Sequence, residues 1–558
     1  MVVGQAPFAR LPEAVCRLLL VGGRGPGLAA ARDAARAAGE ACPSLADALA
    51  LAVWQDAPLW PEAAAVLTAR DAKRSFLPPD LARLAAHVAG YAGKSVPEPY
   101  FERLAARRET ARMLAYLVTR HGKAPDDPGL AHRIACLAPM VGEFGEAVDA
   151  LAALPEPLAP LGRQVAGELA LLSGRAGEAA ALLRRALPTP AVDKRLAEAL
   201  VAAGDREGGL TALSRAVAAQ PFDALGLARL HDLAVGFDWR IAPLPGSVAV
   251  LVYSYNNARL LERTLDALSR TDWTFAADGA RLTVLDNGSG DDTAALLRGW
   301  RERLAGRMEV VALPVNIGAP AARNWLAALP GTRSAGFVAF LDDDALPPPD
   351  WLGRFGAAVA AHPGAGVWGA MIRGIGSPHF VQSADTHLLP TPRLQGEWGR
   401  GFDLARPWLA TADDGAYGVC RPCASVTGCC HLFRASILAD LGGFDLRFSP
   451  TQYDDLDMDL RQLLAGRPAV CQGHLRVVHA KATGAASGQG GGQYGSGFAN
   501  QFKLHHKYDD GQFAAAAETA FAALAGDCAA KAEALAGLGR IAPETAALWR
   551  VAEGDRVG

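Results

Sequence analysis

Gly336-Phe337-Val338-Ala339-Phe340-Leu341-Asp342-Asp343-Asp344 is an apolar run that ends in three consecutive carboxylates. A short apolar stretch bounded by polar residues is the pattern of a strand buried on both faces, and such strands belong to parallel sheets covered by helices. The segments before it repeat the theme. Val248-Ala249-Val250-Leu251-Val252-Tyr253, Leu282-Thr283-Val284-Leu285 and the run Met308 to Leu313 read as strands. Between them, Leu260 to Ser269, Thr293 to Leu304 and Ala319 to Leu329 have helical spacing. Strand-helix alternation of this kind builds a mainly parallel α/β sheet flanked by helices. Ligands of such sheets bind beyond the carboxyl ends of the strands. That rule gathers Ser254-Tyr255-Asn256-Asn257, Asp286-Asn287-Gly288-Ser289 and Asp342-Asp343-Asp344 at one edge.

Upstream, residues 1–240 are rich in Ala, Leu, Arg and Glu at helical spacing, with breaks at Gly and Pro and no strand pattern. Three segments there look alike, beginning at Gly142, Gly174 and Gly204, which are 32 and 30 residues apart by subtraction. Such a period is close to that of helix-turn-helix repeats, so an all-α array resembling tetratricopeptide repeats is expected, with a plain helical bundle as the alternative. Pro243-Leu244-Pro245-Gly246 reads as a linker, 246–483 as the α/β domain, and 484–558 as a Gly-rich flexible segment followed by C-terminal helices. Gly484 to Gly497, with Tyr494, can be a lid over bound ligand or a plain linker.

The 558 residues carry 55 Lys and Arg against 58 Asp and Glu, a formal net charge of −3, which speaks against a nucleic-acid partner. No apolar run long enough for a transmembrane segment and no signal peptide are apparent, so a cytoplasmic place is expected, at most peripheral at the inner face of the membrane. Nine cysteines, an odd number scattered over a long chain, suit reduced thiols. Cys420, Cys423, Cys429 and Cys430 with His431 can ligate zinc or be buried thiols on neighbouring strands, the second being favoured because the usual spacer is missing.

Along an extended chain Asp342 and Asp344 face one way and Asp343 the other. Two like-facing carboxylates at a buried strand end repel unless a cation sits between them, and Mn²⁺ or Mg²⁺ prefers such oxygen ligands. An acidic loop leading to the helix after Asp350 is the structural alternative. Asp286 can accept a hydrogen bond from a base or serve the Asn287-Gly288 turn. Tyr255 can stack on a base or pack. Asn316 and Gly318 precede a helix whose free N–H groups favour an anionic diphosphate, and Arg323 can reach that diphosphate or make a surface ion pair. His479 ends the apolar run Leu475 to Val478, with His505 and His506 as runners-up for a metal. Asp454 and Asp455 open a helix through Leu464; their crowding with Asp457 raises one carboxylate toward the range of a general base, unless these acids only decorate the helix N-terminus. Gly442-Gly443 reads as a helix stop, with Phe444 packing.

Val250 to Asn256, Leu285 to Ser289, Asn316-Ile317-Gly318 with Arg323-Asn324, and Phe340 to Asp344 together resemble the ordered motifs of family-2 glycosyltransferases with the GT-A fold. Gly428, Gly442-Gly443-Phe444-Asp445, Asp454-Asp455-Leu456-Asp457 and His479 are similar to that family's acceptor half. The resemblance implies an inverting, metal-dependent transferase that moves a sugar from a UDP- or dTDP-sugar to a glycan, lipid-linked or protein acceptor, as in the making of cell-surface polysaccharide. It implies that Tyr255, Asn256, Asp286, Asn316, Gly318, Arg323, Asp342 and Asp343 serve the nucleotide-sugar donor. Asp342, Asp344 and His479 would hold Mn²⁺ or Mg²⁺, and Asp455, beside Asp454, would be the base. Where that family has Glu-Asp, this chain has Asp454-Asp455. The competing class is a helical-repeat protein, binding a partner through residues 1–240, whose transferase-like domain has lost activity. Nucleotidyl transfer would call for a Gly-rich loop with a Lys or Arg after the first strand, and Tyr255-Asn256-Asn257 does not supply one.

Overall fold

The computed structural model describes residues 11–23, 26–37, 43–94, 99–376, 378–390, 402–480 and 491–550. The chain divides into two compact units. Unit 1 comprises residues 1–234, 412–416 and 528–558, and unit 2 comprises 235–411 and 417–527.

Unit 1 is helical throughout its described residues up to 234. The three look-alike segments are turns between paired helices: Pro128–Val141 with Phe144–Ala152, Ala159–Leu172 with Ala176–Leu183, and Pro190–Ala202 with Arg206–Ala219. Gly142, Gly174 and Gly204 sit at φ of 81°, 78° and 90°, a left-handed conformation that costs a side chain roughly 1–2 kcal/mol. Side-chain caps start the helices at Pro128 and Arg206, whereas those at Phe144 and Ala176 begin without one. Asp127 accepts from the Gly129 and Leu130 N–H groups at 2.8 and 3.2 Å, and Asp205 from Gly208 N–H at 2.9 Å. Trp54, Leu67, Leu130, Ile134 and Leu158 form part of the core between these helices.

Unit 2 is built on a ten-stranded sheet in the order β10-β12-β6-β11-β4-β1-β2-β3, with β5 paired to β12 and β7 to β6. The first strands are β1 (Val248–Ser254), β2 (Ala280–Asp286), β3 (Met308–Ala312) and β4 (Phe337–Asp342). Then come β5 (Ala345–Leu346), β6 (Val367–Gly374), β7 (Val381–Ser383), the hairpin of β8 (His387–Pro390) and β9 (Phe402–Ala405), β10 (Cys420–Cys423), β11 (Cys430–Arg434) and β12 (Ala469–His479). β3, β2, β1 and β4 are parallel neighbours. Their crossover helices are Ala258–Ser269, Thr293–Arg303 and Ala319–Ala328. Beyond β4 the sheet is mixed: β11 runs antiparallel between β4 and β6, and β12 is parallel to β6. Val250, Val252, Leu282, Val284, Ala339 and Leu341 are buried in one core, and each larger side chain among them contributes about 1.5–3 kcal/mol.

Pro243 to Gly246 is tied into this unit rather than hanging as a linker. Ala242 N–H donates to Gly353 O at 2.9 Å, Leu244 N–H to Phe275 O at 2.7 Å, and Leu244 is buried. The Gly-rich stretch expected to act as lid or linker lies outside the described residues at 481–490, and residues from Gly491 to Lys507 form a helix. Helix Asp510–Gly537 is long and apolar enough to cross a membrane by length and composition, contrary to the sequence expectation. Phe513, Ala517, Leu524 and Leu535 nevertheless bury one stripe of it, as in a core helix.

Candidate active site

Register sets the site. Ser254 lies opposite Asp286, and Tyr253 opposite Asp342, so three parallel strands end level. From the other side, β12 brings His479 opposite Ala345 of β5, which sets Asp344 beside it. The result is a cleft of about 480 Å³ whose walls include Tyr255, Arg323, Asp342, Asp344, Asp455 and His479.

His479 Nε2 lies 2.8 Å from Asp344 Oδ1, and its Nδ1 lies 3.0 Å from Gln382 Oε1 on β7. A carboxamide oxygen at Nδ1 calls for the proton there, and Nε2 faces the Asp344 carboxylate at the cleft. Burial is the main reason that Asp342 is pushed up to about 7; Arg323 opposes the shift and Asp344 adds to it. Two carboxylates and an imidazole are donors that suit Mn²⁺ or Mg²⁺, and a divalent cation would relieve the carboxylate pair. The residues present therefore fit a divalent cation. Strand β4 ends at Asp342 and the chain turns through Asp343 and Asp344, so strand alternation does not set their directions. Asp343 also lines the cleft, its side chain accepting from Ser254 Oγ and its carbonyl from Thr264 Oγ1 at 2.9 Å.

Arg323 is neither on the surface nor free. It is 5% exposed, pairs with Asp454, and reaches Asp342 Oδ1 and Gly428 O at 3.4 Å each. Burial disfavours its charge, but Tyr253, Asp454 and Asp342 more than offset that and raise its pKa. The raised acid at the helix start is Asp454, through burial first, countered by Arg323, and then through Asp455. Asp457 does not crowd this pair as expected, because Lys507 at 2.6 Å and Arg461 at 3.1 Å pair with it. Asp455 is half-buried, accepting from Gly428 N–H at 2.9 Å and Leu456 N–H at 2.8 Å. It also borders a second pocket of about 280 Å³ with Thr427, Trp408 and Tyr453. Asp455 thus stands where the two cavities meet.

Asn256, Asn316 and Gly318 line the cleft as expected and also make internal bonds. Asn256, at φ 50°, accepts from Gly290 N–H at 2.7 Å and donates its own N–H to Ser289 Oγ at 3.0 Å, clamping the loops after β1 and β2. Asp286 is buried, takes Ser289 N–H at 2.9 Å, and is not among the described residues that line the cleft. The helix after Gly318 offers little to an anion. Gly318 N–H already donates to Asn316 Oδ1 at 2.8 Å, Ala319 N–H to Pro450 O at 2.8 Å, and Pro320 has none. Tyr255 is 46% exposed at the rim, open to a stacking partner. His505 stacks on Phe402 at 4.4 Å and His506 bonds Phe502 O at 2.8 Å, and neither is among the described residues that line the cleft. Gly442 and Gly443, at φ 73° and 81°, end helix Ala435–Asp440, and Phe444 packs against Phe340.

The four cysteines do not form a zinc site. Cys420 and Cys423 are on β10, while Cys430 is on β11, three strands away across β12 and β6. At about 4.8 Å per strand the separation is roughly 14 Å, beyond any shared tetrahedral ion. Cys429 instead lies at the cleft: ligand atoms of Asp342, Cys429 and His479 all fall within 4.8 Å of one another. Sequence reasoning singled out this thiol but grouped it with the wrong partners, and it missed Gln382 altogether.

Residues 249–442 match the family model described as Glycosyl transferase family 2. The match contains Asp342, Asp344 and Cys429 and stops short of Asp454, Asp455 and His479. No curated protein sequence matches the chain. Among solved structures it is similar to GalNAc-T7 with UDP, GalNAc and Mn²⁺ at 12% identity and TM-score 0.36, over 44% of this chain and 45% of that one. It is also similar to the mannosyltransferase PcManGT from Pyrobaculum calidifontis, in complex with GDP-Man and Mn²⁺, at 20% identity and TM-score 0.32, over 61% and 96%. A third is S. aureus TarS 1-349 in complex with UDP-GlcNAc, at 18% identity and TM-score 0.30, over 44% and 61%. The resemblance to family-2 glycosyltransferases holds over residues 249–442, within an α/β sheet with flanking helices that follows a helical N-terminal region.

Proposed function

We propose that unit 2 is an inverting, divalent-cation-dependent glycosyltransferase that moves a sugar from a nucleoside-diphosphate donor to an acceptor hydroxyl. The observation that carries this reading is Asp455 at the junction of two cavities, one of which holds Asp342, Asp344 and His479. A transfer needs a donor on one side of the base and an acceptor on the other, and the base within reach of both. Asp342, Asp344 and His479 would hold the ion, Mn²⁺ or Mg²⁺. When bound, it supplies positive charge against the leaving diphosphate.

Tyr255 receives the base of a UDP- or dTDP-sugar at the rim, and Asp343 stays beside the carboxylate pair as support. Asp455 takes the proton of the acceptor hydroxyl as that oxygen attacks the anomeric carbon from the face opposite the leaving group. Gly428 N–H and Leu456 N–H hold its carboxylate in place, and Arg323 keeps Asp454 fixed beside it. Displacement in one step inverts the anomeric carbon and needs no covalent intermediate. The acceptor is a glycan, a lipid-linked saccharide or a protein side chain. Residues 1–240 offer a helical surface to a protein partner, with catalysis on the cytoplasmic side.

Incubation with a panel of nucleotide sugars, Mn²⁺ and hydroxyl acceptors tests this. Asp455→Asn should retain the thermal shift given by UDP with Mn²⁺ and lose transfer by on the order of 10²–10⁴-fold. Asp344→Ala should lose both the Mn²⁺-dependent shift and turnover while remaining folded. Full turnover of wild-type protein in excess EDTA would overturn the metal assignment.

A further inference from the structure

Cys429 has no role in the reading above, yet it stands among the residues assigned to the ion. The chain places it there through register. Cys430 opens β11 opposite Leu341 of β4, so Cys429 falls opposite Asp342, whose N–H donates to Cys429 O at 2.9 Å. Successive side chains on an extended chain point to opposite faces, so the neighbouring thiols separate. Both thiols are buried in the same apolar cluster, Cys430 fully, but of the two only Cys429 also lines the cleft. Its Sγ is buried, with the residue 5% exposed, and makes no hydrogen bond among the described residues. A sulfur, a carboxylate oxygen and an imidazole nitrogen mutually within 4.8 Å can share one ion.

We propose, on the premise that unit 2 holds a divalent cation at Asp342 and His479, that Cys429 is a further ligand of that ion. The ion is then bound through sulfur as well as oxygen and nitrogen. Asp344 is not in that mutually close set but lies 2.8 Å from His479 Nε2, where it would meet the same ion from the other side, and Gln382 at Nδ1 is the partner that orients the ring. Binding converts the thiol to a thiolate, its proton passes to solvent, and one sulfur–metal bond forms. Metal-free, the thiol stays protonated, since burial first and then the carboxylates of Asp342 and Asp344 raise its pKa. A thiolate selects softer ions. The site should therefore hold Co²⁺, Zn²⁺ or Cd²⁺ more tightly than Mg²⁺, and a thiophilic ion should compete with Mn²⁺.

Co²⁺ titration of the full chain reads this without any turnover assay. Sulfur bound to cobalt gives a thiolate-to-metal charge-transfer band in the near ultraviolet, and cobalt in any nitrogen and oxygen site gives weaker visible bands alone. Wild-type protein should show both, with the near-ultraviolet band lost in Cys429→Ser and the visible bands kept. Cd²⁺ affinity of that variant should fall on the order of tenfold, the lower end of what a partner of a bound metal is worth. Visible bands without the charge-transfer band in wild type, or a charge-transfer band unchanged in Cys429→Ser, would overturn the proposal and leave the cation site standing. Absence of any Co²⁺ binding in wild type would remove both. Cadmium NMR of the wild-type chain gives a reading that needs no variant: a resonance in the nitrogen-and-oxygen range refutes the thiolate.

Discussion

A side chain at Gly428 would meet Arg323 Nη2 at 2.7 Å, and that guanidinium has nowhere to go, because it is buried between Asp454 and Asp342. The same residue donates its N–H to Asp455 and offers its carbonyl to Arg323. Gly428→Ala should therefore lower turnover by displacing both partners while changing the far-UV spectrum little; wild-type turnover in the variant would refute this. Arg323 itself is one cation among buried carboxylates. Removing it alone leaves charge uncompensated, so Arg323→Met should cost about 3–5 kcal/mol in chemical denaturation, and Asp454→Leu in the same chain should recover much of that loss. A double variant as unstable as the single would show that the pair is not what holds this wall. At this scale the sequence was readable for position: strand ends bring Asp342, Asp344 and His479 to one cleft. It was not readable where a polar side chain could serve either ligand or backbone. Asn256 and Asn316 are spent on the N–H groups of Gly290 and Gly318, a choice settled only by which loops meet.

Elements with one strong period came through, because β1 and β4 are nearly continuous apolar runs, β2 is apolar at Leu282, Val284 and Leu285, and the helices between them bury one face. Apart from β6, strands β5 to β11 are only two to five residues long, and they owe their places to pairing far along the chain. The same is true of the loop from Phe448 to Gln452 that borders the cleft. Asn500, on helix Gly491–Lys507, donates to Phe448 O at 2.7 Å, Thr451 O at 2.8 Å and Gln452 O at 3.1 Å. No pattern in the sequence links residues 48 to 52 positions apart. Asn500→Ala leaves those carbonyls without this donor, at about 1–3 kcal/mol, and loosens the loop that carries Gln452 and Tyr453. The expected result is weaker UDP binding in Mn²⁺ with the Asp455 chemistry otherwise intact, measured as a raised donor KM with kcat changed less; an unchanged KM would argue that the loop is held by other contacts.

Across the whole chain, the change from helical to alternating pattern near residue 240 marked two units, and the contact-defined boundary falls at Ala234. What composition could not show is that residues 528–558 cluster with the N-terminal helices. An Ala-rich helix reads the same wherever it packs. Within unit 1, Arg540 pairs with Glu207 at 2.7 Å, and Leu535 and Trp549 are buried. The ion pair is exposed and counts for little. Leu535 and Trp549 alone contribute about 1.5–3 kcal/mol each, with Cys528, Ala532, Ile541 and Ala546 buried beside them in sequence. A chain ending at 527 should then lose at least roughly 3–6 kcal/mol from unit 1. For a unit of this size that lowers its thermal transition by on the order of 10 °C. Unit 2 keeps its own core, so calorimetry should resolve two transitions, with only the first displaced and with UDP and Mn²⁺ still raising the second. If both transitions fall together, or the Mn²⁺-dependent shift vanishes, the tail supports the transferase unit as well, and the division of the chain at residue 527 would have to be redrawn.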